Sequence, residues 1–427
     1  MGIVLKDVTV VADATAPARI LNLRIDGGTI STVDETCPAL LPGDTQIEAQ
    51  GKLAVPGLVN AHTHLPMTLF RGLADDVPLK AWLEEYIWPR ERTLGLEDVY
   101  WGTLLGLAEM IRGGTTACAD MYFHVEDIAR AVEAAGVRAV LSYGIVAQEL
   151  DERGRNEMKR AEAVLLRFDG TADGRIRGAI SPHAVYTCSE PVWRAAVDLA
   201  AKRSVPLHTH LAETREEIAW CQEHHGERPV AFLDRIGAFS VPMLAAHGVH
   251  LEDAELARLA ERPVTIVHCP KSNAKLGSGV APVEAMRRAG VAVALGTDGA
   301  ASNNSLDLFE EMRIAALLCK AGAEDPTVLP AADAFDMATR AGARALRLGE
   351  GRLTEGAPAD LVLVDLEGAG TLPAVAPLST LVYAAHAADV TDVIVDGRVL
   401  LRDRELVTID EERVRYEVKK IAARYTN

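Results

Sequence analysis

The sequence predicts an α/β protein: a parallel (β/α)8 TIM barrel joined to a small β-sandwich domain built from both ends of the chain. Over residues 56–358, short apolar runs alternate with helical stretches eight times, as in a parallel sheet wrapped by its crossover helices. Outside that span, residues 1–55 and 359–427 carry short β-type segments, none able to bury a face alone. No Gly-rich phosphate loop follows an early strand, which argues against an open, doubly wound sheet.

The elements follow in order. Residues 20–25 and 29–33 flank Asp26-Gly27-Gly28, a hairpin signal. Near the other end, residues 360–364 read as a strand, and residues 393–395 and 399–401 flank Asp396-Gly397-Arg398. We expect these two distant pieces to pack together as one domain, the alternative being two independent decorations. The apolar run 53–59 reads as a buried strand opening the barrel and leading into His62-Thr63-His64. Helical sequence over 101–111 precedes a second strand, 114–120, and helix 125–135 a third, 138–145. Helix 157–167 leads to strand 176–181, and helix 191–203 to strand 205–210. Another helix precedes strand 243–247, helix 253–261 precedes strand 264–268, and helix 283–289 precedes strand 291–297.

Composition excludes several classes. The 427 residues, 49% of them apolar, suffice for one large domain and a smaller one. With 44 basic against 61 acidic residues the net charge is −17, a sign that repels nucleic acid and anionic membrane surfaces. No run of about 18 apolar residues appears. Lys6 and Asp7 interrupt the first apolar run, so no signal-peptide pattern is present. Six scattered cysteines without a C-x-x-C pair fit thiols of a reducing compartment, and the cytoplasm is the expected location. A homo-oligomer remains open.

In a parallel barrel the chemistry lies where strands end, and His62, His64, Asp120, His183, His210, His247, His268 and Asp298 fall there. His62 and His64, two apart on a strand, face the same way and offer a metal two nitrogens. Two strand histidines can equally be hydrogen-bonded core residues. His210 is expected as a third nitrogen ligand, with His208 one layer deeper as barrel filling. Glu213, three residues past His210, is placed for proton transfer, the alternative being a surface glutamate at a helix start. His247 reads as a catalytic or supporting residue and His250 as a turn residue, while His268 stays open between packing and the site. Asp298, closed in by glycines after an apolar strand, is costly to bury without a cation. It completes three histidines and a carboxylate around a zinc-like ion.

The motifs P-G-L-V-N-A-H-T-H, H-x-x-E at His210 and Glu213, A-A-H at His247 and G-T-D-G-A-A-S-N-N at Asp298 resemble the amidohydrolase superfamily. More narrowly they resemble its 5-methylthioadenosine/S-adenosylhomocysteine deaminase branch, within the chlorohydrolase-like family. The resemblance runs along essentially the whole chain. It implies one divalent metal per chain, zinc being the expected ion, held by His62, His64, His210 and Asp298. Binuclear relatives use a carboxylated lysine from the fourth strand, and residues 176–181 contain no lysine. It also implies that Glu91 binds ribose hydroxyls, His183 contacts the purine, Glu213 protonates the ring nitrogen and His247 orients the nucleophile. The substrate so implied is a purine nucleoside attacked at C6 of its adenine ring, with Asp298 and Glu213 moving protons to departing ammonia. Members carry an arginine before a glycine just after the third strand. Here that position is Tyr143, in Ser142-Tyr143-Gly144, while a second family arginine is matched by Arg155. 5′-Methylthioadenosine is therefore expected above S-adenosylhomocysteine, adenosine being a further candidate. The alternatives are deamination or dechlorination of another heterocycle (guanine, pterin, triazine or cytosine type) and, more remotely, a non-catalytic assembly protein.

Overall fold

The computed structural model describes residues 2–424; residues 1 and 425–427 of the expected terminal domain lie outside the described residues. Strands from both ends of the chain form one nine-stranded sheet. The seam is the antiparallel pairing of Lys52–Pro56 with Leu361–Asp365, which sets Leu361 opposite Pro56 and Asp365 opposite Lys52. Each strand near the seam is apolar on both faces. Ala54, Leu361, Leu363 and Ile394 enter a core shared with Leu5, Leu23 and Ile25. Their neighbours Leu53, Val55, Val362, Val364, Val393 and Val395 enter the core of the rest of the molecule. The period of two thus binds the sheet to the barrel on one side and to its own outer strands on the other.

The apolar run 53–59 is not a single strand, contrary to expectation. It divides at Gly57 into Lys52–Pro56 of the terminal sheet and Leu58–Thr63 of the barrel. Gly57 N–H donates to the carbonyl of Asp360 at 3.0 Å, and Leu58 N–H to that of Gly114 at 3.1 Å, so the backbone changes sheets within one residue. A Cβ at Gly57 would lie 2.0 Å from Thr116 Oγ1, which leaves room for glycine alone.

The barrel strands are Leu58–Thr63, Thr115–Tyr122, Arg138–Ile145, the interrupted pair Ile176–Gly178 and Ser181–Pro182, Leu207–Leu211, Met243–His247, Val264–His268 and Ala292–Leu295. Neighbours pair in parallel. The fourth meets the fifth through a bridge of Ile180 to Leu207. The eighth closes on the first where Asp298 N–H donates to His62 O at 3.0 Å and Thr297 N–H to Asn60 Oδ1 at 3.0 Å. Small apolar side chains such as Ala117, Ala119, Val140 and Val267 form a separate buried cluster with Ala343 and Leu346 of the last barrel helices. The polar residues are left to the other end. Helix Glu411–Ala422 lies not on the terminal sheet but against helix Leu96–Arg112, where Arg112 Nε donates to Glu411 Oε2 at 3.1 Å. No helix among the described residues is long and apolar enough to cross a membrane.

Candidate active site

His62, His64 and His210 come together at the strand ends, each with a ring nitrogen within 4.8 Å of the others. Asp298 Oδ1 stands 3.5 Å from His62 Nε2 and 3.2 Å from His64 Nε2. The opposite edges of the rings decide which atoms face inward. His64 Nδ1 lies 2.6 Å from Met121 O and His210 Nδ1 lies 2.8 Å from His183 O. A carbonyl only accepts, so both rings carry a proton on Nδ1 and turn an Nε2 lone pair toward the cup. His62 Nε2 is buried and makes no hydrogen bond. Three electron-rich nitrogens and a carboxylate facing one another fit a divalent cation and repel one another without positive charge. Burial opposes protonation of His64, yet the Asp298 carboxylate overrides it and raises that imidazole to about 9, so its Nε2 lone pair takes up a proton wherever no metal ion claims it. The cup draws positive charge.

Asp298 is held from behind. Its Oδ2 accepts from Ser272 Oγ at 2.7 Å and Ser302 Oγ at 2.6 Å, which leaves Oδ1 for the cup. Its φ of +60° and the +77° of His247 are left-handed backbone at non-glycine residues, each costing on the order of 1–3 kcal/mol. Both aim a polar side chain off a strand end. His247 Nδ1–H donates to Asn273 Oδ1 at 2.9 Å, which turns Nε2 toward Glu213 Oε2 at 3.7 Å. Burial raises the Glu213 carboxyl above its ordinary value, as suits a group that must hold a proton between transfers.

Glu217 supports Glu213. Thr214-Arg215-Glu216-Glu217 has the spacing of a capping box, and Thr214 Oγ1 accepts from Glu217 N–H at 3.1 Å. The Glu217 carboxylate, however, reaches past the cap to accept the N–H groups of Ala212 at 2.9 Å and Glu213 at 2.8 Å. Both oxygens act as acceptors. Glu217→Gln replaces one with a donor, so an N–H loses its partner, and stability should fall by about 1–3 kcal/mol. A thermal melt checks this; an unchanged midpoint would show that the clamp contributes little.

The chamber above the cup is lined by His64, His210, Glu213, His247 and Asp298, and also by His183 and Glu91. Burial lowers the His183 ring to about 3, so it is a neutral hydrogen-bonding group. Glu91 Oε1 is buried without a hydrogen-bond partner. Burial raises its carboxyl, against the opposing hydrogen bond of Tyr122. Trp82, Trp88, Met67, Phe123 and Leu276 supply apolar walls, and among the described residues no lysine or arginine lines this inner chamber. It shares Leu79, Leu83, Trp88, Tyr186 and Leu276 with an outer chamber of about 790 Å³ whose lining includes Lys80, Arg215, Gln148 and His250.

Two candidates lie elsewhere. Tyr143 is buried outside the chamber, where its hydroxyl donates to Glu157 Oε2 at 2.8 Å and the Arg160 guanidinium lies 5.0 Å over its ring. The strand period is the reason: Gly144 lines the chamber and Ser142 faces His208, so the residue between them points to helix Glu152–Phe168. Arg155, exposed on that helix, donates to Leu150 O at 2.8 Å and is not among the lining residues. His268 is buried beside the site but does not line it, and Asp120 Oδ1 accepts the Leu65 N–H at 2.6 Å. His208, Glu217, Asn273, Ser272 and Ser302 support the site, and sequence reasoning assigned them no such part. The Thr-x-x-Glu spacing was the available signal for Glu217, and for Ser302 its position four residues after Asp298.

Comparison with known proteins identifies the family. Residues 53–400 match the amidohydrolase family model. A 5-methylthioadenosine/S-adenosylhomocysteine deaminase of Haloarcula marismortui is 46% identical over 399 residues, 93% of this chain and 92% of that protein. A 5′-deoxyadenosine deaminase of Methanothermobacter thermautotrophicus is 47% identical over 407 residues, 95% of each chain. Among solved structures, an adenosine deaminase from Xanthomonas campestris with bound zinc superimposes with a TM-score of 0.93 at 38% identity, covering 99% of this chain and 98% of its own. This chain belongs to the amidohydrolase family.

Proposed function

We propose that this protein is a metal-dependent hydrolase that deaminates an adenine nucleoside, releasing ammonia and the matching inosine. The observation that carries the reading is the junction of a four-ligand cup with Glu213, His247 and an apolar chamber ending in Glu91, whose Oε1 has no hydrogen-bond partner. The deaminase names of its relatives support it. One divalent ion held by His62, His64, His210 and Asp298, zinc in our assignment, supplies the Lewis acid that makes water nucleophilic near neutral pH. His247, fixed through Asn273, orients the attacking water. Glu213 accepts a proton from that water and delivers it to ring N1 as the C6–O bond forms. The second water proton passes through Asp298 Oδ1 to the amine, the C6–N bond breaks, and ammonia leaves. Glu91 takes the ribose hydroxyls and His183 the purine edge.

Metal analysis together with ammonia release from a nucleoside panel tests the reading. Near one ion per chain and release from adenine nucleosides support it, whereas release only from guanine, pterin or triazine substrates overturns it.

We further assign a preference for a small apolar 5′ group. A methylthio group suits the Trp82 and Trp88 walls, while the carboxylate of S-adenosylhomocysteine finds no cation in the inner chamber and must extend to Arg215 or Lys80 outside. Lacking a close charge-assisted pair is worth roughly 1.5–3 kcal/mol, about one to two decades of kcat/KM in favour of 5′-methylthioadenosine. Comparing both substrates in wild type and Arg215→Ala measures it. Equal or better use of S-adenosylhomocysteine by the wild type overturns the preference and leaves the deaminase assignment standing.

A further inference from the structure

His64 and His210 are held by backbone carbonyls, but His62 is not. Its Nδ1 lies 2.8 Å from Nε2 of His208, a residue with no solvent exposure, and the two rings cross at 87°. On the far side of His208, Nδ1 lies 3.5 Å from Ser142 Oγ, a long contact, and that hydroxyl donates to the carbonyl of Asp120 at 3.0 Å. The direction of this chain follows from its last member. A carbonyl only accepts, so the Ser142 proton is committed there, and the Ser142 oxygen can serve His208 only as an acceptor. His208 must then carry its proton on Nδ1 and present an Nε2 lone pair. His62 must donate from Nδ1, which keeps its own Nε2 unprotonated. That atom is the one with no hydrogen-bond partner in the cup.

We infer that His208 is a positioning residue for metal capture: through His62 it converts the Asp120 carbonyl, too distant to act directly, into control over which His62 nitrogen faces the ion. The inference rests on the reading of the cup as a metal site. It assigns His208 a task that barrel packing alone does not require, since an apolar side chain would fill the same space.

The test compares His208→Gln, whose amide oxygen can still accept from His62 Nδ1, with His208→Leu, which cannot. Zinc affinity of the metal-stripped proteins is read by competition with a chromogenic chelator. The leucine variant should bind about 10–100-fold more weakly, with the glutamine variant within about threefold of wild type. Equal losses in both variants, or leucine binding as tightly as wild type, would overturn the inference. A second readout needs neither variant nor metal. In stripped wild type, imidazole 15N shifts should show a protonated Nδ1 and an unprotonated Nε2 on His208, and the reverse tautomer refutes the chain. If wild type takes up no zinc, the metal reading fails, while the 15N spectrum still decides the tautomer.

Discussion

Replacing His210 or Asp298 with alanine should empty the cup and lower turnover by about three decades or more. A Lewis acid at the reacting centre is worth several kcal/mol, and each ~1.4 kcal/mol is a tenfold change in rate. The two variants fail for different reasons. His210→Ala removes one neutral nitrogen from a set whose ligand atoms lie within 4.8 Å of one another. Asp298→Ala removes the only carboxylate of the set and strands the Ser272 hydroxyl that points at it, while Ser302 Oγ keeps the Gly299 carbonyl. It should therefore lose stability as well as metal, whereas His210→Ala isolates the metal effect. Metal content by elemental analysis, read beside ammonia release, decides both. Retention of a full ion by His210→Ala would remove it from the ligand set, and two tightly held ions in wild type would overturn the single-ion assignment.

Glu213→Gln should cost about 10²-fold or more in turnover while the ion stays bound. The amide matches the carboxylate in size and hydrogen-bonding reach but cannot carry a proton from water to the ring. Glu213 makes no contact in the metal cup; its oxygens face His247 Nε2 at 3.7 Å and Ser278 Oγ at 3.5 Å. Metal loss and catalytic loss should thus separate cleanly, in contrast to the Asp298 variant. Activity near the wild-type level would dismiss Glu213 as the acid–base group. A fall in metal content would mean that the substitution had disturbed the strand end rather than the chemistry.

The sequence was most legible where helical sequence and turn residues close off a short apolar run at both ends. Arg138–Ile145, Met243–His247 and Val264–His268 have the bounds read from sequence, because turn residues and helical periods bracket each one. The run 53–59 misled because hydrophobicity reports burial and not the sheet in which a strand is buried. Only Gly57, pressed against Thr116, marks the crossing. His208 looked like filling because composition cannot show which ring nitrogen faces a neighbour. Tyr143 was placed by its match to a family position. The alternation of Ser142, Tyr143 and Gly144 sends its ring to the opposite side of the strand, where Glu157 receives it. Strand phase, more than residue identity, decides membership of the site.

The seam between Lys52–Pro56 and Leu361–Asp365 also has a consequence in time. A ribosome adding roughly 5–20 residues per second needs about 15–60 s to cover the stretch between those two strands. Throughout that interval Lys52–Pro56 has only its pairing with the N-terminal strand at Thr9 and Val10, and the Leu361–Asp365 strand does not exist. The strand waits with one hydrogen-bonding edge open, and Leu53 and Val55, almost fully buried in the finished protein, lack their cover. Soluble yield at high expression temperature should accordingly follow how well chaperones shield this nascent edge, and not the melting point of the completed chain.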